Sequence, residues 1–101
     1  MRVEFCVDVT DDKDRKEILN FLDDLGFRWR SGREIFKVSW LDCLGILCFD
    51  DIDNDDDNIS WRLSYYQKGD MEDCKIPPSS KNLFKLKVLK IYKSLENKGY
   101  M

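Results

Sequence analysis

The chain has 101 residues and a net charge of −3, with 43% hydrophobic and 37% charged residues. This length supports a single hydrophobic core, and the composition excludes a disordered chain. No apolar run approaches the roughly 18 to 20 residues that a membrane span needs, and the N-terminus lacks the apolar stretch of a signal peptide. We therefore expect a cytoplasmic protein, without membrane contact, that folds as one domain over residues 1–101.

The charge is divided unevenly along the chain. Residues 1–73 carry nineteen acidic and ten basic residues, whereas residues 74–101 carry seven lysines and one glutamate. The first region is therefore strongly negative and the second strongly positive. A partner would meet a different sign of charge on different faces of the molecule.

The first element is predicted at residues 2–9, where apolar and polar side chains alternate as in a half-buried strand. Thr10, Asp11 and Asp12 then offer side-chain oxygens to the free amides of a helix start. Apolar residues recur at three- and four-residue steps from there, which predicts a helix near 12–25. Gly26 is expected to end it, with Phe27 and Trp29 covering its last turn.

A hairpin is predicted next. Residues 44–49 form an apolar run typical of a buried strand, which we place near 45–50, and the strand predicted at residues 59–66 alternates again. The acidic residues between them suggest a long hairpin loop. Residues 33–40 are compatible with either a short strand or an irregular segment, and residues 67–75 are expected to form a loop.

A last helix is predicted near 80–97, capped by Ser79 and Ser80, with an apolar stripe facing the core. Its lysines, Lys85 among them, are expected to face solvent. Together the elements predict an α+β fold in which a small, mainly antiparallel sheet packs against two helices.

The joint after the first helix reads Leu-Gly-Phe-Arg-Trp-Arg-Ser-Gly over residues 25–32. The order of the predicted elements resembles that of small α/β proteins encoded by bacteriophages and other mobile elements. This order is a strand, a helix, the joint, a hairpin with an Ile-Ser-Trp strand, and a final helix. The resemblance covers roughly residues 3 to 90. It implies a source and a fold more than a reaction, and those small phage proteins that are understood often inhibit host defence systems or host enzymes by binding them. The acidic loop and the lysine-rich last helix depart from that pattern.

Catalytic motifs are absent from the sequence. It contains no histidine, no nucleophile elbow, no phosphate-binding glycine loop and no zinc-hydrolase motif. The four cysteines, Cys6, Cys43, Cys48 and Cys74, do not have the close paired spacing of a zinc site. We expect no enzyme activity and no cofactor, and we expect the cysteines to be reduced thiols without a bound metal.

Six carboxylates follow the first hairpin strand, and their residues are Asp50, Asp51, Asp53, Asp55, Asp56 and Asp57. Their alternate spacing suggests a calcium loop of the EF-hand kind, but Asp56 and Arg62 occupy positions that require glycine and glutamate. A solvated loop accounts for the same residues. The third interpretation is a mimic of nucleic acid, because dense negative charge is attracted to surfaces that bind phosphates.

The leading functional hypothesis is an inhibitor whose acidic face occludes a basic nucleic-acid or substrate surface. Its partner would be a protein or ribonucleoprotein defence complex of a bacterial host, such as a CRISPR effector. A different hypothesis is nucleic-acid or nucleotide binding through Arg28, Arg30, Arg33 and C-terminal lysines such as Lys85. Against that hypothesis, Trp29 is expected in the core, and the arginines could instead pair with acidic residues of the first helix.

Three aromatic residues allow two interpretations. Trp40, Tyr65 and Tyr66 could form an exposed patch of the kind found in interaction hot spots, or they could belong to the core. A self-associating structural module is a further hypothesis, and it would require an exposed apolar patch.

Overall fold

The computed structural model describes residues 2–53 and 59–97. The strands are β1 (Arg2–Asp8), β2 (Leu44–Asp53) and β3 (Ile59–Gln67), and the helices are α1 (Asp12–Leu25) and α2 (Lys81–Asn97). Short 3₁₀ helices span Leu41–Cys43 and Lys68–Asp73. The strands form an antiparallel sheet in the order β1-β2-β3. The predicted α+β fold is confirmed, including the hairpin formed by β2 and β3.

Helix α1 begins and ends where its capping residues predict. The Asp11 carboxylate accepts hydrogen bonds from the backbone amides of Lys13 and Asp14, at 2.9 and 3.1 Å. Gly26 ends the helix in a left-handed conformation with φ of 87°, which glycine adopts without steric cost. Phe27 then donates its backbone amide to the Leu22 carbonyl at 3.1 Å. This bond turns the chain back over the helix end, as predicted.

The main core lies between the helices and one face of the sheet. Phe5 of β1 and Phe49 of β2 are buried there, with ring centroids 5.3 Å apart. Phe84 of α2 meets the Phe5 ring edge-on at 5.3 Å, and Leu22 of α1 is buried in the same cluster. The helices therefore pack on a single face of the sheet.

The opposite face of the sheet is also covered. Because side chains alternate along a strand, Cys6, Ile46 and Cys48 point away from the main core, and they form a second buried cluster. Residues 68–79, which we call the cover segment, supply Met71 and Cys74 to this cluster. The loop predicted at residues 67–75 is therefore wrong in part, since a 3₁₀ helix in it packs on the sheet.

Helix α2 is joined to α1 by ion pairs. Lys85 Nζ lies 2.6 Å from Glu17 Oε2, and Lys81 Nζ lies 2.9 Å from Asp14 Oδ1. Ser80 caps the helix as predicted, since its Oγ accepts a hydrogen bond from the backbone amide of Leu83 at 3.2 Å. The α2 lysines were expected to face solvent, and Lys81 and Lys85 do so only in part, because they pair with carboxylates on the neighbouring helix.

A candidate binding cleft beside the third strand

The joint after α1 folds into a tight hairpin against β3. The Arg30 amide donates to the Leu63 carbonyl at 2.9 Å, and the Leu63 amide donates to the Arg28 carbonyl at 3.1 Å. These bonds add a short parallel bridge to the free edge of β3. Gly32 makes the turn with φ of 89°, and residues 33–40 continue as turns rather than as the strand that was one expectation.

Trp29 anchors this hairpin in the protein. Its side chain is 2% exposed, so the expectation that it belongs to the core is confirmed. The indole Nε1 donates a buried hydrogen bond to the Ile35 carbonyl at 3.0 Å. This bond satisfies the polar end of the ring and holds residues 29 and 35 together.

Trp40 and Tyr65 extend the aromatic cluster outward from Trp29. The rings of Trp40 and Tyr65 are stacked, with centroids 4.0 Å apart and planes inclined by 21°. Both meet Trp29 edge-on, at 4.7 and 5.7 Å between centroids. Trp40 and Tyr65 are half-buried, so the cluster runs from the core to the surface.

These rings form part of an open cleft of about 720 Å³, which we call the aromatic cleft. Arg30 and Arg33, both exposed, lie on the hairpin side, and Gln67 and Asp70 lie toward the start of the cover segment. The complete lining is Trp29, Arg30, Ser31, Arg33, Val38, Trp40, Leu63, Ser64, Tyr65, Gln67 and Asp70. Guanidinium groups bind phosphate or carboxylate with several donors, and a carboxylate accepts hydrogen bonds from amino groups. The cleft thus offers complementary groups to a planar ligand that carries an anion.

The residues of the basic hypothesis are separated by the fold. Arg30 and Arg33 line the aromatic cleft. Arg28 lies in the same hairpin but outside the cleft lining, and its Nη1 donates to the Gly32 carbonyl at 3.2 Å. Lys85 is engaged with Glu17 on α1 and is not a cleft residue.

The aromatic residues are separated in the same way. Tyr65 and Trp40 are stacked at the cleft, whereas Tyr66 packs with the second cluster on the other face of the sheet. Adjacent residues of a strand point to opposite faces, so a single patch containing Tyr65 and Tyr66 is excluded.

The acidic residues begin inside a strand rather than in a loop. The backbone of Asp50, Asp51 and Asp53 belongs to β2, where these residues pair with Arg62, Trp61 and Ile59 of β3. The first ligands of an EF-hand lie in a loop, whereas the backbone of Asp51 and Asp53 lies in a strand. The backbone therefore does not match a calcium site of this kind. Asp55, Asp56 and Asp57 lie outside the described residues.

The sequence alone did not indicate Val38, Gln67 or Asp70 as cleft residues. Asp70 lies in a polar stretch without periodicity, and only the packing of the 3₁₀ helix Lys68–Asp73 brings it to the cleft. Phe36, Leu83 and Leu86 are large apolar side chains that are exposed. The last two lie on α2 and are the residues on which the self-association hypothesis would depend.

Comparison with known proteins does not assign the chain to a family. No helix within the described part of the chain is long and apolar enough to cross a membrane. No protein-family model matches the sequence, and neither a curated protein nor a solved structure matches it.

Proposed function

We propose that this protein binds single-stranded nucleic acid or a free nucleotide in the aromatic cleft, without catalysing a reaction. The observation that carries the proposal is the meeting of a stacked Trp40–Tyr65 pair with Arg33 in one open cleft. Nucleobases stack on aromatic rings, and guanidinium groups pair with phosphates. A ligand with both a base and a phosphate uses both features of the cleft.

The size and support of the cleft agree with this ligand. A volume of about 720 Å³ lies within the range of roughly 300–1,000 Å³ that small-molecule sites occupy. Trp29 packs behind the stacked pair and is itself held by its bond to Ile35. The aromatic surface is therefore rigid, and the ligand loses little free energy in ordering it. Base stacking on such a surface contributes about 1–3 kcal/mol per base.

Charge restricts the mode of binding. The protein carries a net charge of −3, so long-range attraction does not bring phosphates to it. Phosphate binding then depends on the local arginines, Arg30 and Arg33. Asp70 on the cleft lining would accept hydrogen bonds from a base amino group and would repel a second phosphate beside it. We therefore expect the cleft to hold one base with its phosphate, and to favour bases with an exocyclic amino group (adenine, cytosine and guanine) over thymine.

The test is a titration with a labelled eight-nucleotide strand of deoxyadenylate, one of thymidylate, and free adenosine monophosphate. Binding is followed by fluorescence anisotropy and by the tryptophan emission of the protein. Arg33→Gln is expected to weaken binding about tenfold. It should also reduce the steepness of the slope of log K against log salt concentration by about 0.7, the value for one lost phosphate contact on a single strand. Strand binding without nucleotide binding would identify the polymer as the ligand, and the converse would identify the nucleotide.

Arg28→Gln is the matched control. It removes the same charge from the same hairpin, but Arg28 lies outside the cleft lining. The control is expected to bind as the unaltered protein does. Equal losses in both variants, or no binding of any ligand at about 0.15 M salt, would refute the proposal.

The acidic end of the β2–β3 hairpin supports a second candidate function, the inhibition of a bacterial defence complex. Asp50, Asp51 and Asp53 lie on β2 in the part of the ladder farthest from Gln67, where they pair with β3 residues outside the lining of the aromatic cleft. Carboxylates concentrated there would compete with nucleic acid for a basic surface of the complex.

This candidate is tested by capture of partners from a bacterial lysate treated with nuclease. Replacing all six aspartates of residues 50–57 by asparagine should abolish capture of a nucleic-acid-handling complex, while Arg33→Gln should leave it intact. Capture that survives the asparagine replacements would exclude the acidic end as the binding surface.

A further inference from the structure

Three of the four cysteines meet on the sheet face that the cover segment protects. Cys6 of β1 and Cys48 of β2 are cross-strand neighbours, and Cys74 reaches them from the end of the 3₁₀ helix. The Sγ atoms of Cys6 and Cys74 are 3.8 Å apart, and all three Sγ atoms lie within 4.8 Å of one another. The three cysteines are thiols rather than halves of disulfides, and up to 68 residues separate them along the chain.

The dimensions of this cluster match those of a metal site. Metal–sulfur bonds of about 2.3 Å in a trigonal arrangement place the sulfurs about 4.0 Å apart. Cys6 and Cys74 already have nearly this separation. All three Sγ atoms lie within 4.8 Å of one another, so no Sγ–Sγ distance exceeds the ideal value of about 4.0 Å by more than about 1 Å. Side-chain rotation can make up this difference. The three sulfurs therefore need little rearrangement to bind one ion.

The surroundings of the cluster limit the access of solvent and of competing ligands to a bound ion. Cys6 and Cys48 have no exposed surface, and Cys74 is half-buried.

We propose that Cys6, Cys48 and Cys74 form a binding site for one Cu(I) ion, held by three thiolates. Zinc almost always requires four ligands, and no fourth cysteine, histidine, aspartate or glutamate joins these sulfurs within the described residues. The soft Cu(I) ion prefers thiolate ligands. Each cysteine that ligates the ion loses its proton to solvent, and the copper does not change its oxidation state.

Copper binding at this site would join the cover segment to the sheet. Cys74 belongs to the cover segment, and the two other ligands belong to adjacent strands. A bound ion therefore adds a covalent link between parts of the chain that otherwise meet through apolar contacts and a few hydrogen bonds. This role is independent of the aromatic cleft.

The experiment is an anaerobic titration of the fully reduced protein with the Cu(I)–bicinchoninate complex. Transfer of one copper per chain, seen as bleaching of the complex, is the expected result. Cys74→Ser should lower the Cu(I) affinity about 100-fold or more, since it removes a direct ligand. Cys74 is half-buried, so we expect this variant to fold, and far-ultraviolet circular dichroism checks that it does.

Cys43→Ser is the matched control, because Cys43 is exposed and lies outside the cluster. It should bind copper as the unaltered protein does. No copper uptake, equal affinity in Cys74→Ser, or a loss caused by Cys43→Ser would overturn the proposal. So would a chain that takes up no copper and instead loses two hydrogens to oxidised glutathione, forming a Cys6–Cys74 disulfide.

Discussion

Gly45 of β2 lies directly beneath Met71 of the cover segment. A Cβ atom added at Gly45 would lie 2.6 Å from Met71 Cγ and 3.0 Å from the Cα of Lys68. The methionine side chain can move away, but the backbone at residue 68 cannot move without lifting the 3₁₀ helix. The close approach of the cover segment to the sheet therefore requires glycine at this position.

Gly45→Ala is expected to lower the free energy of unfolding by about 1–3 kcal/mol, as overpacking usually does. Urea denaturation measures this loss. Gly69→Ala is the control, since an added Cβ there meets nothing within 4 Å. A Gly45→Ala protein as stable as the control would show that the cover segment does not pack closely on β2.

The bond between Trp29 and Ile35 predicts the effect of a smaller ring. Trp29→Phe removes the Nε1 donor and leaves the buried Ile35 carbonyl without it. The lost bond costs about 1–3 kcal/mol, and the smaller ring adds to the loss. Urea denaturation should show a clearly smaller loss for Trp40→Phe, because Trp40 is only half-buried. Equal losses would contradict an anchoring role for the Trp29 indole.

The ion pairs between the helices predict a dependence of stability on pH. A hydrogen bond from Lys85, and the proximity of Lys81, lower the pKa of Glu17 below its ordinary value. Because the pKa is lower in the folded state, the charged Glu17 stabilises the protein at pH values above its pKa in the unfolded chain. This stabilisation disappears as the pH falls through the pKa of Glu17 in the folded protein. Glu17→Gln should therefore be less stable than the unaltered protein at neutral pH.

The two proteins should converge in stability as the pH falls from the ordinary pKa of a glutamate through the lowered pKa of Glu17 in the folded protein. Urea midpoints measured between neutral and acidic pH at low salt provide the comparison. A difference that persists unchanged in acid would assign the effect of Glu17→Gln to packing rather than to charge.

The start of α1 gives a prediction about capping. Asp11→Ala removes the acceptor of two backbone amides, those of Lys13 and Asp14. Loss of such a cap costs about 0.5–2 kcal/mol. Asp24→Ala, in the last turn of the same helix, removes the same charge and should be neutral or slightly stabilising because acidic groups are unfavourable there. Thermal unfolding of both variants distinguishes loss of the cap from loss of charge.

Local signals in the sequence determined most of the secondary structure. Alternation predicted β1 and β3, and capping by Asp11 and Gly26 predicted the bounds of α1. These signals are local because each depends on residues only a few positions apart. The same signals predicted the hairpin but not its full length. Strand β2 continues to Asp53 because its last residues pair with β3, and a local pattern does not show such pairing.

Only the tertiary structure decided which residues lie together in the aromatic cleft and in the thiol cluster. The stacking of Trp40 on Tyr65 and the approach of Cys74 to Cys6 join residues far apart in the chain. The same is true of Lys85 and Glu17, whose pairing moved a predicted surface lysine into a contact between helices. Such contacts depend on which face each element buries and on how the chain closes over the sheet. Periodicity identifies an apolar face but does not specify its partner, so the cleft and the thiol cluster emerge only when the elements pack.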